Sequence, residues 1–246
     1  MAFADHFSSV ARDYAAFRPH YPPALAAALA ARAPAGTAWD VGCGSGQFSV
    51  ALADHVARVI ATDPAQAQIA EGVPHPRVAY RVAPAEASGL ADQSVTLVVA
   101  AQAAHWFAWP KFVAEVERVA VPGALLALVS YGIDLVEGDA ANAIVQRYYH
   151  EDVGAFWPAG RAHVENGYRD LVWPWPAVEA PAMDMTAVWT RDELLGYIGT
   201  WSATVKRAAT DDGAAYAALR TQLAAVWPDA ERRTITWPLA IRLARR

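Results

Sequence analysis

The sequence predicts an α/β fold in which a mostly parallel sheet is covered by helices on both faces. Two observations lead to this prediction. Between about residues 37 and 130, strand-like apolar segments alternate with helical segments, and the apolar segments are nearly continuous. A glycine cluster at residues 42–46 joins the first of these strands to a helix, as in open parallel sheets that bind ligands at the carboxyl ends of their strands.

The elements that precede the sheet are predicted to be helical. Apolar residues recur every three or four positions from Phe3 to Phe17, which predicts an amphipathic helix. We expect this helix to end at Arg18, because the following Pro19 disfavours a helical backbone at the residue before it. An alanine-rich helix then extends to about Arg32.

The next part of the chain supplies the sheet and its flanking helices. Short apolar runs predict strands at residues 37–41, 56–62, 78–82, 94–101 and 124–130. The segments between them predict helices at residues 46–55, 65–71 and 110–120.

After about residue 131 the alternation ends, and the pattern predicts an inserted cap. Residues 138–175 are rich in aromatic residues and proline, which favours short helices and loops, and a further strand is expected within residues 178–188. Thr190 followed by Glu193 is typical of a capping box at the start of a helix. Alternating apolar residues predict a last strand at 234–243, where Pro238 requires an edge position or a bulge.

Length and charge limit the organisation of the chain and its partners. The 246 residues fit one compact domain, with a helical lid in residues 1–35, a ligand-binding core in 36–132, and a cap with the last strands in 133–246. The net charge of −5 and the isoelectric point of about 5.8 argue against broad electrostatic binding of nucleic acid or anionic membranes.

Other features of the composition point to a cytoplasmic protein. The longest uncharged run contains several polar residues and is a poor membrane span, and the first residues lack the basic start and apolar core of a signal peptide. The single cysteine, Cys43, allows no internal disulfide, which fits a reducing compartment. We expect no metal site.

The glycine cluster follows an acidic residue, in the order Asp40-Val-Gly-Cys-Gly-Ser-Gly46. Glycines at these positions permit a left-handed backbone and let a ligand approach the main chain closely. The third glycine comes one residue too early for a dinucleotide fingerprint, and the Gly-Lys-Ser/Thr of a phosphate loop is absent. Asp40 would repel a diphosphate, so the loop favours a cationic ligand.

Two further acidic positions follow the next strands. Asp63 ends the second strand, where a carboxylate can accept hydrogen bonds from both hydroxyls of a ribose. Ala85 and Glu86 follow the third strand, where a small residue and an acid can border an adenine.

With these segments, the sequence resembles the class I S-adenosylmethionine-dependent methyltransferases. Three other stretches make it similar to the type 11 enzymes related to trans-aconitate methyltransferase: Arg18-Pro-His-Tyr-Pro22, Ala101-Gln-Ala-Ala-His-Trp-Phe107 and Gly196-Tyr-Ile-Gly-Thr-Trp-Ser202. The resemblance covers almost the whole chain, although the first 130 or so residues carry the specific motifs. Thr96 departs from it, because the fourth strand of this family usually carries an Asp there.

The resemblance implies a Rossmann-like, seven-stranded, mostly parallel sheet with helices on both faces and an inserted helical, aromatic C-terminal cap. It implies S-adenosylmethionine as cofactor and S-adenosylhomocysteine as product. Tyr14 and Arg18 would belong to a lid, with Arg18 pairing with the methionine carboxylate. The cofactor-binding residues that it implies are Tyr14, Arg18, Asp40, Gly42, Cys43, Gly44, Gly46, Asp63, Pro64, Ala85, Glu86, Ala101 and Gln102.

On the acceptor side, the resemblance places the substrate between the carboxyl edge of the sheet and the cap. His105, just beyond the fourth strand, is the candidate general base, and Trp106 lies beside it. The alternative is that His105 orders its loop or contacts the substrate. Seven of the ten tryptophans lie after residue 150, and Trp157, Trp173, Trp175 and Trp201 are candidates for an aromatic wall. Most of these four are expected to lie in the core, because tryptophan is usually largely buried. The candidates for recognising an anionic substrate are Arg161, His163 and Arg169.

Three functions remain open at this point. The first is methyl transfer to a small molecule, for instance to a carboxylate oxygen, and the second is C-methylation of a quinone or another aromatic ring with His105 as base. The third is a cofactor-binding protein without catalysis, which rests on Thr96 alone. Nucleic-acid amino-methyltransferases fit badly because Ala-Gln-Ala-Ala-His-Trp replaces their Asn/Asp-Pro-Pro-aromatic motif. We expect a small-molecule partner and a monomer or homodimer.

Overall fold

The structure, a computed structural model, describes residues 19–246. The predicted first helix and the candidate site residues Tyr14 and Arg18 lie outside the described residues. Within residues 19–246, no helix has the length and apolarity needed to cross a membrane.

Five parallel strands form the centre of the sheet, in the order β3-β2-β1-β4-β5. They are β1 (Thr37–Val41), β2 (Arg58–Asp63), β3 (Val78–Val82), β4 (Val95–Ala101) and β5 (Ala120–Tyr131). The chain runs outward from β1 to β3 and then crosses to the other side of β1 to form β4. The order of strands therefore reverses between β1 and β4, and the carboxyl ends of these two strands border a crevice where ligands bind in such sheets.

Helices cover both faces of these strands, as the sequence predicted. On one face, α1 (Pro23–Ala30) and α2 (Gln47–Ala53) pack on a cluster that includes Leu97 and Val99 of β4. On the other face, α4 (Trp109–Val119) packs on a cluster that includes Val98 and Ala100. A short helix, α3 (Gln66–Ala70), follows β2. Because successive residues of one strand are buried on opposite faces, the strand reads as a continuous apolar run.

The last strand, β9 (Arg232–Arg245), joins the central sheet to the cap. Its residues 239–245 pair antiparallel with β5, and its residues 232–238 pair with β8 (Asp184–Thr190). Pro238 stands where the partner changes from β8 to β5, so its missing N–H falls at a junction of two ladders. In place of the edge position or bulge expected at Pro238, the structure has a point at which β9 changes its pairing partner.

Two short strands complete the pairing of β9. β6 (Leu135–Val136) and β7 (Ala177–Val178) pair with its opposite halves, so the sheet of the described residues has nine strands. Seven of these strands are neighbours along one path, in the order β3-β2-β1-β4-β5-β9-β6, as the implied sheet requires. Cap segments add the other two, β7 and β8, by pairing with the long β9. The single strand expected within residues 178–188 is split into β7 and β8, and Pro181, which has no N–H to donate, lies between them.

The cap packs around its own aromatic cluster, which includes Tyr148, Trp201, Trp227 and Trp237. Two 3-10 turns, at Ala104–Trp106 and Gly154–Phe156, and a π-helical turn at Tyr148–Asp152 connect parts of the fold. The helices are α5 (Asp139–Arg147), α6 (Arg161–Glu165), α7 (Arg191–Gly199), α8 (Ser202–Asp211) and α9 (Ala214–Val226).

The predicted capping box at the start of α7 is present in the structure. The Thr190 hydroxyl accepts a hydrogen bond from the Glu193 backbone N–H at 3.3 Å. In return, Glu193 Oε2 accepts one from the Thr190 backbone N–H at 2.7 Å. Two backbone donors at the helix start are thereby satisfied.

We predict that Thr190→Ala lowers the free energy of unfolding by about 1 kcal/mol, because the N–H at the third helical position loses its acceptor. Thr190→Ser keeps the hydroxyl and serves as the control that retains most of this stability. Urea unfolding followed by circular dichroism measures both, and equal stability of Thr190→Ala and the wild type would contradict the assignment.

Candidate functional site

The glycine loop between β1 and α2 is packed too closely for side chains at two positions. Gly42, Gly44 and Gly46 have φ angles of 70°, 56° and 82°. A Cβ on Gly42 would lie 2.5 Å from the Cβ of Ala103, and a Cβ on Gly46 would lie 2.1 Å from the hydroxyl oxygen of Tyr80. The loop therefore needs glycine for both its backbone angles and its contacts.

Asp63, at the end of β2, holds this loop in place. Its Oδ2 accepts a hydrogen bond from the Gly44 backbone N–H at 3.0 Å, and its Oδ1 accepts one from the Ala65 N–H at 2.8 Å. The carbonyl of Thr62 also accepts from the N–H groups of Gly42 and Cys43 at 2.8 and 3.0 Å. Sequence reasoning missed this anchoring role, because a bond between adjacent strand tips depends on the fold.

Asp40, at the carboxyl end of β1, is a buried carboxylate with one oxygen unused. It is 1% exposed, and its Oδ2 accepts a hydrogen bond from the Ser49 hydroxyl at 2.5 Å. Its Oδ1 has no hydrogen-bond partner among residues 19–246. Burial raises the pKa of Asp40 to about 7, against the opposing effect of the Ser49 hydrogen bond. A buried carboxylate oxygen that lacks a hydrogen-bond donor is suited to a ligand that supplies a donor group.

The neighbouring Cys43 has no sign of chemical activation. Its Sγ lies 3.4 Å from the carbonyl oxygen of Gly44, and burial raises the pKa of its thiol. A thiol with a raised pKa is a poor nucleophile.

The other expected cofactor residues lie at the same edge of the sheet or just beyond it. Pro64 and Ala101 are half-buried at the ends of β2 and β4. Ala85 is buried in the cluster on the α4 face, and Glu86 Oε1 accepts a hydrogen bond from the Ala108 N–H at 2.6 Å. Every expected cofactor residue that the structure describes thus lies at or after the carboxyl end of a parallel strand.

Gln102 connects the tips of β4 and β5. Its side-chain amide donates to the Tyr131 carbonyl and accepts from the Tyr131 N–H, both at 3.0 Å. Its φ of 54° is uncommon for a residue other than glycine. Such strained positions are frequent at functional sites, and here the pair of hydrogen bonds holds the backbone in this state.

A cleft opens between these strand tips and the cap. Its empty space, including the open mouth, is about 600 Å³. All four expected substrate residues line it, namely Trp106, Trp157, Arg161 and Trp201. The remaining lining residues are Gln102, His105, Tyr131, Gly132, Pro158, Tyr197 and Ser202.

Other expected members of the acceptor site lie elsewhere. Trp173 and Trp175 pack on the cluster of the α4 face, where the ring of Trp173 lies 6.3 Å from that of Trp109. His163 Nδ1 contacts Asp170 Oδ2 at 2.5 Å, and Arg169 is exposed. None of these four residues is among those that line the cleft of the described structure. Trp173 and Trp175 follow α6, where the chain packs on the α4 face.

Arg161 is the cation of the cleft. Its Nε donates a hydrogen bond to the Tyr149 hydroxyl at 2.6 Å, and its guanidinium lies 4.6 Å from the ring centre of Trp157 and 5.2 Å from that of Tyr149. The nearest carboxylate in the described part of the chain is Glu165, at 3.9 Å. The guanidinium is therefore held against two adjacent rings, whose centres are 4.9 Å apart, with Glu165 at ion-pair distance.

Asp134 lies just beyond the tip of β5 and is fully buried. Within the described ranges neither of its carboxylate oxygens has a hydrogen-bond partner. Burial raises its pKa to about 7, and the positive charge of Arg161 acts in the opposite direction. Sequence reasoning missed this residue, which reads as an ordinary turn former after a strand.

His105 contacts a tyrosine from the cap. Its Nδ1 lies 3.1 Å from the hydroxyl of Tyr168, and the two rings stack with centres 6.4 Å apart. Tyr168 was also missed, because nothing in the local sequence marks a partner 63 positions away.

Comparisons with known proteins agree with this architecture. A family model described as a methyltransferase domain, of type 11, matches residues 39–128. The chain is 30% identical over 204 residues to a provisionally named methyltransferase of Dictyostelium discoideum, a match that covers 81% of this chain and 78% of that protein.

Solved structures give the same result. A protein of Anaeromyxobacter dehalogenans, provisionally described as a type II methyltransferase, is 46% identical, with a TM-score of 0.87 over 93% of this chain and 98% of that one. A Bacillus halodurans protein, provisionally named a methyltransferase, is 18% identical with a TM-score of 0.56 over 91% and 97% of the two chains, and it supports the fold alone.

The glycine loop, the strand order and these relatives lead to one conclusion. The chain belongs to the class I S-adenosylmethionine-dependent methyltransferases.

Proposed function

We propose that the protein methylates a carboxylate oxygen of a small molecule, as its resemblance to the trans-aconitate methyltransferases implies. The observation that carries the proposal is Arg161, a cation held against two aromatic rings in the cleft beside the strand tips. The division into a lid (1–35), a cofactor core (36–132) and a cap (133–246) belongs to the same proposal.

The residues at the strand tips fit the cofactor. The unpartnered Oδ1 of Asp40 is suited to an ammonium group, directly or through a water. The left-handed backbone of Gly42, Gly44 and Gly46 is suited to a loop whose main chain lies against a methionine moiety. Asp63 is assigned to the ribose, Pro64, Ala85 and Glu86 to the adenine, and Ala101 and Gln102 to the side of the methyl group. When bound, S-adenosylmethionine supplies a methyl group that its sulfonium already activates.

On the acceptor side, Arg161 would bind and orient a carboxylate through its remaining N–H groups. Trp157 and Trp201, whose ring centres are 5.7 Å apart, would exclude water from the reacting atoms. An ionised carboxylate needs no general base, so the protein mainly has to position it. C-methylation of an aromatic ring is the second enzymatic candidate, because His105 also lines the cleft.

Thr96 gives little support to a protein without catalysis. It lies at the amino end of β4, and its hydroxyl donates to the Thr37 carbonyl at 3.2 Å. A Cβ on Gly36 would lie 2.6 Å from its methyl group, so Thr96 packs at the end of the sheet opposite the glycine loop.

Asp40→Asn should weaken the binding of S-adenosylhomocysteine by about 10- to 100-fold, because an ammonium loses a charged acceptor. Isothermal titration measures the affinity. Methylthioadenosine lacks the amino acid part, so its affinity for the variant should match that for the wild type. An equal loss for both ligands, or no loss, would show that Asp40 does not face the ammonium.

For Arg161→Ala we predict a loss of about 100-fold in kcat/KM toward small mono-, di- and tricarboxylates, the equivalent of a lost charge-assisted hydrogen-bond pair. Methyl transfer from radiolabelled S-adenosylmethionine measures it. Arg169→Ala, an exposed arginine outside the cleft, is the matched control and should keep wild-type activity. Transfer to neutral phenols that does not depend on Arg161 would argue for the second candidate instead.

Asp134 should make the protein less stable as the pH rises. The pKa of Asp134 is about 7 in the folded state and 3.8 in the unfolded state, so the folded state holds the proton more tightly. The free energy of unfolding therefore falls as the pH rises from the lower to the higher of these two values. Asp134→Asn removes this loss and should gain up to about 4 kcal/mol over the wild type at high pH. Thermal unfolding from roughly pH 5 to 8 measures the difference. The exposed Asp184→Asn is the control, and a constant difference across pH would contradict the assignment.

A further inference from the structure

The contact between His105 and Tyr168 determines which nitrogen of the imidazole carries the proton. We propose that Tyr168 is a positioning residue that holds His105 in the Nε2–H tautomer, so that His105 donates a hydrogen bond in the cleft and does not act as a general base. The donor role rests on the proposed function, because it assumes that the acceptor binds in the cleft. The tautomer itself does not depend on the acceptor.

Tyr168 is held rigidly in place. It is fully buried, and its φ of 59° is a left-handed value that a tyrosine rarely adopts. The Tyr168 N–H donates to the His163 carbonyl at 2.7 Å, and the Arg242 guanidinium donates to the Tyr168 carbonyl. These bonds fix the ring against His105, with the two ring planes inclined by only 20°.

The buried hydroxyl of Tyr168 has one hydrogen-bond partner among the described residues, His105 Nδ1, 3.1 Å away. Burial raises the pKa of this phenol, so the hydroxyl stays protonated at neutral pH. Its proton is therefore donated to Nδ1.

The opposite arrangement would be costly. If Nδ1 carried the proton, it would donate to the Tyr168 oxygen, and the buried proton of the hydroxyl would have no acceptor among the described residues. Nδ1 is therefore the acceptor, and a neutral imidazole then has its proton on Nε2. Any polar contact of this ring with an acceptor is made through Nε2 as a donor.

This tautomer separates the two enzymatic candidates. A base that deprotonates an aromatic carbon or a phenol needs a lone pair on Nε2, which the Tyr168 contact denies. His105 and Arg161 both line the cleft. With a proton on Nε2, the imidazole and the guanidinium are two donors suited to bind one carboxylate. We therefore assign His105 to orientation of the acceptor.

The tautomer can be observed directly by NMR on the full chain labelled with ¹⁵N-histidine, with His105 assigned from the signal lost in His105→Gln. We expect Nδ1 to have the shift of an unprotonated, hydrogen-bonded nitrogen and Nε2 that of a protonated one. In Tyr168→Phe, which keeps the ring, Nδ1 should move toward the value of an acceptor without a hydrogen bond. Tyr216→Phe, which removes a hydroxyl that donates to the Leu195 carbonyl, is the control and should leave both signals unchanged. A proton on Nδ1 in the wild type would overturn the proposal.

Kinetics test the donor role. The amide N–H of glutamine can replace an Nε2–H donor but cannot act as a base, so His105→Gln should keep turnover within about tenfold of the wild type. His105→Ala should mainly raise KM, by about 10-fold or more. If both variants instead lose kcat equally by about 100-fold or more, His105 is a base and the donor role is wrong. If no acceptor is turned over at all, the proposed function fails while the NMR result still tests the tautomer.

Discussion

The double pairing of β9 is the constraint on which the candidate site depends. One half of this strand completes the central sheet beside β5, and the other half carries β8 and β6 of the cap. The cap cannot shift relative to the strand tips without breaking one of these ladders. Trp157, Arg161 and Trp201 are thereby placed opposite Gln102 and His105, across a cleft at the carboxyl edge of the sheet.

The site has two electrostatically different ends. Two carboxylates, Asp40 and Asp63, lie at the glycine loop, and Arg161 lies in the cleft together with His105. Under the proposed function, a cationic methyl donor meets acidic groups and an anionic acceptor meets positively polarised ones. The positive charge of the methyl donor and the negative charge of the acceptor both diminish as the methyl group moves between them. The protein therefore needs mainly to orient the donor and the acceptor and to exclude water.

Local patterns predicted much of this architecture. The bounds of β1 and β3, the glycine loop and the capping box of Thr190 follow from short-range rules, and the structure confirms them. The pairing of β9 with β7 and β8 was not predicted, because it depends on contacts distant in sequence. The sequence left Trp173 and Trp175 as candidates for either the aromatic wall or the core, because composition does not tell which face of a sheet a tryptophan covers. Tyr168 and Asp134 were missed for a related reason, since their roles arise from a contact and a burial that only the folded chain creates.

The most direct test of this account is a crystal structure of the protein with bound S-adenosylhomocysteine. The account predicts that the amino group of the ligand lies within hydrogen-bond distance of Asp40 Oδ1, directly or through one water. It also predicts that the sulfur faces the cleft lined by Arg161 and Trp157. A ligand that leaves Asp40 Oδ1 unpartnered, or whose sulfur faces away from this cleft, would contradict it.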